Sequence, residues 1–426
     1  MKKRYLLLLA AVASFKGYSQ TAAAPAPAAN DYSISWYGFI RTDYMWDTRK
    51  SASVREDHLN LYPLDVLPDA NGKDVNAVGQ SNFLSVVSRL GVKVKGPDVW
   101  GAKVSGTLEG DFFGNVEGSS IGMLRLRHAY AQLDWKKTSI TMGQTWYPTF
   151  IPEVFPGVAN FSTGILFNPF GWASQVKLKQ NLSKDISISF TAYKEREFSI
   201  FGATGNDASV NSALPTINTQ LQYKGKNIFL GAGFEYKSAQ PKTVLNSSST
   251  TPANTTNILT SEKLNSSIVY GYGKYANDKI TIKAYGISGG NLSHLVMLGG
   301  YTSSTSNPGT LNAKQTYDAT KTSAFWLDIA SNGKSIAPGI FFGTTKNNGS
   351  SEAGTSSTGR GLGARTVDNV WRLSGRVDFK KNKFRISPEL ELTSADWGAA
   401  DAYGKATGTL TNVSNFRTMI SCVYTF

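Results

Sequence analysis

The chain of 426 residues contains one cysteine, Cys422, so no internal disulfide can form and stability must come from packing or backbone pairing. It has three histidines, His58, His128 and His294, far apart and without metal-ligand spacing, so no metal site and no cofactor is assigned. Beyond the extreme N-terminus there is no run of about 18 apolar residues, which excludes a bundle of membrane helices. No G-x-S-x-G elbow precedes a helix and no Walker A sequence occurs, so nothing in the chain reads as an enzyme. The segment TGRGLGAR (358–365) has closely spaced glycines but sits among Ser and Gly, and reads as a flexible tip rather than a phosphate cradle.

What is present is aromatic and turn-rich. The 22 Phe, 19 Tyr and 9 Trp argue against an unfolded chain, and 41 Gly with abundant Ser, Thr and Asn lean towards β-structure. Lys2, Lys3 and Arg4 ahead of the apolar stretch 5–12 read as an export signal over 1–19, with cleavage before Gln20. Residues 20–32 read as a Pro/Ala-rich tether, and the fold is expected over 33–426. The formal net charge is +14, and Lys2, Lys3, Arg4 and Lys16 of the signal account for four positive charges, leaving +10. Without a basic helix, zinc-finger spacing or a basic-aromatic platform, nucleic acid is not an expected partner. Anionic solutes or lipid headgroups suit this charge better.

Two-residue alternation sets the fold class. Ala102, Val104, Gly106, Leu108 and Gly110 oppose Lys103, Ser105, Thr107, Glu109 and Asp111; Phe384, Ile386, Leu390 and Leu392 oppose Arg385, Ser387, Glu389 and Glu391. Sixteen such segments can be marked, near 33–46, 83–95, 101–113, 122–135, 138–144, 172–180, 186–193, 215–223, 228–236, 268–275, 279–287, 321–329, 336–344, 367–378, 384–394 and 416–426. Short connections such as 96–100, 136–137, 181–185, 224–227, 276–278 and 379–383 alternate with long ones such as 47–82, 145–171, 237–267 and 288–320. A soluble sandwich has no reason to place its long connections at one end. The pattern therefore predicts an all-β chain: a 16-stranded antiparallel transmembrane β-barrel with short periplasmic turns and long extracellular loops. In lipid such a sheet must close, so the first strand should pair with the last. Trp36, Tyr37, Trp135, Tyr193, Tyr223, Tyr236, Tyr275 and Trp371 near strand ends suit interfacial girdles, and Cys422 falls on the lipid-facing parity.

The segments YGFIRTDYMWDTR (37–49) and LNLYPLDVLPDANGKDVNA (59–77) resemble the start of Bacteroidetes-type DcaP-like trimeric outer-membrane porins. RLRHAYAQLDW (125–135) and ITMGQTWYP (140–148) resemble the core of 16-stranded porins generally, including the phosphate-selective ones. The strand ending at Phe426 resembles the C-terminal signal read by the outer-membrane barrel assembly machinery. The resemblance covers both ends and the first third of the barrel. It implies a homotrimer in the outer membrane of a Gram-negative bacterium, set among lipid and lipopolysaccharide, that passes small anionic solutes passively.

Two features carry the candidate chemistry. The connection 144–171 is far less polar than the other long ones; Pro148, Pro152, Glu153, Phe155, Pro156 and Phe161 mark it as a packed third loop folded inward to constrict the pore. With the apolar parity facing lipid, Arg41, Arg89, Lys93, Arg372, Arg376, Arg385 and Arg417 point inward, together with Glu109, Asp111, Glu389 and Glu391. Arg125 and Arg127 share one face about 6.7 Å apart, on a strand whose polar side must switch near 128–130 through a bulge. Arg125, Arg127, Arg372 and Arg376 are the candidates for the narrow zone, where charge ranks permeants. The lysines of the turns, Lys136, Lys137, Lys380 and Lys381, are expected at the rim and to matter less. A plugged barrel serving as adhesin or structural protein, or a barrel hydrolase using His58 or His294, are the alternatives.

Overall fold

The computed structural model describes residues 32–426 apart from 56–57, 115–121, 199, 203–204, 206 and 249–254. The signal at 1–19 and the tether up to residue 31 lie outside the described residues.

The wall consists of β1 (Ser33–Asp47), β2 (Gln80–Leu84 continued by Arg89–Val99), β3 (Ala102–Asp111), β4 (Arg125–Asp134), β5 (Thr138–Trp146), β6 (Trp172–Asn181), β7 (Ile186–Glu195) and β8 (Thr216–Lys224). It continues with β9 (Ile228–Ala239), β10 (Leu264–Ala276), β11 (Ile280–Gly290), β12 (Lys321–Ser331), β13 (Ile336–Gly349), β14 (Arg365–Lys381), β15 (Phe384–Ala400) and β16 (Ala406–Thr425). The two parts of β2 lie end to end along β1, Asn82 opposite Met45 and Gly91 opposite Tyr37, and make one strand of a 16-stranded wall. Each strand pairs antiparallel with the next. β1 then meets β16, from Phe39 opposite Thr425 to Asp47 opposite Arg417, and no edge remains. Closure answers the cost of unpaired amides in hydrocarbon, several kcal/mol for each.

Alternation makes the barrel apolar outside and polar within. Leu108 is 54% exposed on the outer surface while its neighbour Glu109 is 5% exposed, and Leu390 and Glu389 repeat the pattern at 53% and 1%. Short turns gather at one rim. The tightest, Trp100–Gly101, joins Val99 to Ala102 with φ of 51° and 74°, the mirror-image turn geometry that follows strand twist. The bulge in β4 lies where Glu109 pairs with His128 and Gly110 with Leu126, so Arg125, Arg127 and His128 all turn inward and Ala129, Ala131 and Leu133 face out.

The rim of long connections departs from expectation in two places. β15 and β16 run on past 394 and start before 416, leaving only residues 401–405 as a turn. Asn412 donates to Asp396 and Ser394 on the outer face there, a polar pairing that belongs above the hydrocarbon, where water tolerates it. TGRGLGAR is also no free tip: Ser356–Arg360 pairs with Gly299–Ser303, and the same strand pairs through Tyr301–Ser306 with Lys314–Ala319.

Candidate functional site: a cationic vestibule beneath an inward loop

The third long connection, 147–171, enters the barrel and is fastened to six strands. Gln220 of β8 donates to the Pro148 carbonyl at 3.0 Å, and the Tyr285 hydroxyl of β11 to Thr149 at 2.8 Å. Trp326 Nε1 of β12 reaches Asn168 Oδ1 at 3.1 Å. Arg41 of β1 donates to the Ala159 carbonyl at 2.6 Å, Arg372 of β14 to Ile165 at 3.4 Å, and Glu389 of β15 accepts from the amide of Ala159 at 2.7 Å. A loop lying on the rim could not reach strands on opposite sides of the wall.

Its composition follows from its seat. Tyr270, Tyr272, Tyr285 and Trp326 form a stacked aromatic sheet on the inner wall, ring centres 6.0–6.3 Å apart, and Pro148, Phe150, Ile165, Leu166 and Phe167 are buried within the barrel. Here the apolar parity faces inward, contrary to the rule applied along the sequence, because a Pro- and Phe-rich loop needs an apolar wall to dehydrate against. Pro156 and Phe161 are buried, Phe155 is half-buried, and Pro152 and Glu153 are exposed. The first loop and the loop after β11 share the interior. Leu59, Leu61, Leu295, Val296, Met297 and Leu298 are all at most 1% exposed, so the long-loop half of the barrel is densely packed.

The inward arginines are mostly neutralised. Arg125 grips Asp111 at 2.7 and 3.0 Å and Glu197 at 2.9 Å; Arg127 takes Glu109 at 2.7 Å and Asp111 at 3.1 Å, and both guanidinium groups lie over Trp172. Arg372 meets Glu391 at 3.3 Å and also donates to the carbonyls of Asn60 and Leu61 in the first loop. Arg376 holds Asp328 at 2.8 Å, Arg417 holds Asp47 at 2.8 Å, and Arg41 holds Asp43 at 2.8 Å. The acids have a second task. Asp328 accepts from the Gly157 amide at 3.1 Å, Glu389 from Asn160 at 3.3 Å, and Glu391 from the Asn160 side chain at 3.2 Å.

Below the loop, towards the short-turn rim, opens a cavity of about 900 Å³. Eight cationic side chains line it, Arg41, Arg89, Arg127, Lys283, Arg376, Lys380, Lys383 and Arg385, against two carboxylates, Asp328 and Asp378. Arg89 stays 3.5 Å from Glu109 and Arg385 stays 3.9 Å from Asp378, with 20% and 34% of their side chains exposed, so they keep more of their field for solutes than the buried pairs do. Lys93 is exposed over the Tyr37 ring at 5.1 Å. Arg125, Arg372 and Arg417 do not line this cavity; they are buried in ion pairs above it. Of the four candidates for the narrow zone, Arg127 and Arg376 line this cavity and Arg125 and Arg372 do not, whereas Lys380, expected to matter less at the rim, is a lining residue. Asp328 and Lys283 escaped the sequence reading, although Lys283 and Asp328 sit on the same parity as Tyr285 and Trp326, a signal that could have marked that parity as inward.

Residues 15–182 match the DcaP outer membrane protein family. The fold agrees with the outer membrane channel DcaP of Acinetobacter baumannii, at 16% identity and a TM-score of 0.66, over 93% of this chain and 98% of that one. Over residues 15–182 the chain is similar to the DcaP outer membrane proteins, and over its length it has the fold of solved outer-membrane channels. An anion-selective porin from Comamonas acidovorans shares the barrel at 12% identity and a TM-score of 0.55, over 93% of this chain and 100% of that one. OmpT of Vibrio cholerae does so at 12% identity and 0.52, over 93% and 98%. No curated protein matches the sequence. The barrel thus has the fold of outer-membrane channels, with its third loop and a cationic cavity inside the wall.

Proposed function

We propose that the chain is a DcaP-like outer-membrane porin that admits small hydrophilic anions, carboxylates or phosphate, by passive diffusion. The observation that carries the reading is the vestibule of about 900 Å³: Arg41, Arg127 and Arg376 are held in ion pairs, while Arg89, Lys283, Lys380, Lys383 and Arg385 leave an excess of positive charge over the lining carboxylates. Field lines focused by a low-dielectric wall raise the local anion concentration, and partly hydrated guanidinium and ammonium groups do so without trapping the solute. The inward third loop then acts as the constriction, with Pro152, Phe155, Pro156 and Phe161 at its face.

A homotrimer fits the same reading. Gly106, Gly110, Ala129 and Ala131 give the outer face of β3 and β4 a small-residue surface of the kind that lets membrane-embedded backbones approach closely. Lipopolysaccharide contact, delivery by the assembly machinery through the strand ending at Phe426, the Bacteroidetes-type origin and the 1–19, 20–32 and 33–426 division belong to this proposal.

The competing reading is a plugged barrel, and the packing of three loops in the upper half favours it. Liposome swelling separates the two. Vesicles carrying the protein should swell faster in acetate or phosphate salts of an impermeant cation paired with an ionophore than in an equally sized neutral sugar. No swelling in either would leave the plugged barrel standing.

A further inference from the structure

Arg360 ends the loop strand Ser356–Arg360 and is 9% exposed. Every other large buried cation on the inner wall has a carboxylate beside it. Arg360 has none among the described residues, and its buried Nε finds no hydrogen-bond partner. Its neighbours are the Phe201 ring, 5.0 Å from the guanidinium carbon, and the Tyr62 phenol. Burial pulls the group below its ordinary range, which expresses the cost of holding a dehydrated cation without a counter-charge.

The guanidinium lines a separate cavity of about 550 Å³ at the long-loop mouth of the barrel. Four connections build it: the first loop brings Val54 and Tyr62, the loop after β7 brings Phe201, the strand of Arg360 continues to Leu362, and Trp397 comes from the upper part of β15. Tyr62 and Trp397 meet edge to face at 5.7 Å, and Trp397 Nε1 is fixed on the Pro63 carbonyl at 3.1 Å. The walls are therefore rigid and apolar, and one cation stands among them.

We propose that this outer-mouth cavity is a binding site for a monoanion with an apolar body, a medium-chain or arylalkyl carboxylate, whose single charged group pairs with Arg360. One guanidinium fork matches one carboxylate in two parallel hydrogen bonds, and the ligand supplies the counter-charge that the fold withholds. The remaining lining offers only the hydroxyls of Ser53 and Tyr62 and no second cation, so a dianion such as phosphate would leave charge facing Leu362 and Val54. The site is independent of the vestibule: none of its residues lines the larger cavity.

Titration calorimetry of the full-length protein in detergent, with hexanoate as probe and hexanamide and phosphate as controls, tests the assignment. Hexanoate should bind one site per chain, and both controls at least tenfold more weakly. Arg360→Gln should weaken hexanoate at least tenfold, and Arg360→Lys should restore part of the loss. Should Arg360→Gln fail to give a heat-modifiable barrel, Val54→Trp, which fills the cavity without touching the charge, must abolish binding. Undiminished hexanoate affinity in either folded variant, or no binding to the wild type, overturns the proposal. So does loss of the titration in a Lys383→Gln, Arg385→Gln double variant, because the ligand would then sit in the vestibule.

Discussion

Glu389 on β15 accepts a 2.7 Å hydrogen bond from the backbone amide of Ala159, a residue 230 positions away at the inner turn of the third loop. A wall acid thereby serves as an anchor for the element that narrows the barrel. Charge-assisted bonds of this kind are worth about 1.5–3 kcal/mol each. Glu389→Ala should release the loop at one point, raising single-channel conductance and its open-state noise while the barrel remains heat-modifiable.

Removing the loop tip is the stronger form of the same experiment. Deletion within 151–163 should raise conductance well above that of Glu389→Ala and increase the size of permeating sugars. The wall should still assemble, because its closure depends on the pairing of β1 with β16 and not on the loop. Unchanged conductance would mean that solutes pass elsewhere or not at all.

The arginines separate into structural and solute-facing sets, and two substitutions tell them apart. Arg127→Ala takes from Glu109 its nearest cation and leaves Asp111 to Arg125 alone in a buried site, where breaking one side of an ion pair costs up to about 3–5 kcal/mol. Its unfolding midpoint in detergent should fall markedly. Arg385→Gln, on a side chain 34% exposed, should leave the midpoint nearly unchanged and lower the anion preference. The reverse ordering would exchange their roles.

His58 gives the packing of the first loop a pH dependence. It is 1% exposed in the first loop, against Phe113 and Phe161, with Nε2 3.4 Å from Asp43 Oδ2. Burial pushes its imidazole below the ordinary range, an effect that Asp43 opposes and Arg41 and Arg417 reinforce. The folded form therefore binds fewer protons than the unfolded form as pH drops through about 6.5. The stability of this packing is fully present above that pH and declines below it. Thermal unfolding of His58→Gln should lose part of the wild-type slope between about pH 6.5 and 5; an identical slope would remove His58 from the account.

Strand positions, closure and the inward loop were legible because lipid imposes strict alternation and forbids open edges, and because a Pro- and Phe-rich loop has nowhere wet to go. The bulge in β4 was legible from the parity conflict of Arg125 and Arg127 with Leu133 and Trp135. Which arginines remain available to solutes was not. Parity places Arg372 and Arg385 alike, yet Arg372 is consumed by Glu391 on the next strand and by carbonyls of the first loop more than 300 residues away in sequence. The aromatic inner wall of β10 to β12 was hidden for the same reason: its partner is a distant loop, and alternation says nothing of which apolar face meets protein instead of lipid.

The most direct test of the central claim is the reversal potential of the wild-type pore in a planar bilayer under a salt gradient of small monovalent ions. Screening confines each charge to about 8 Å at physiological ionic strength, so the measurement reports the vestibule and the constriction rather than the distant loops. Anion preference that shrinks in Lys383→Gln, Arg385→Gln and persists in Arg372→Lys is the predicted result. A cation-preferring wild-type pore would contradict it, and would assign control of permeation to Asp328, Asp378 and the loop carboxylate of Glu153.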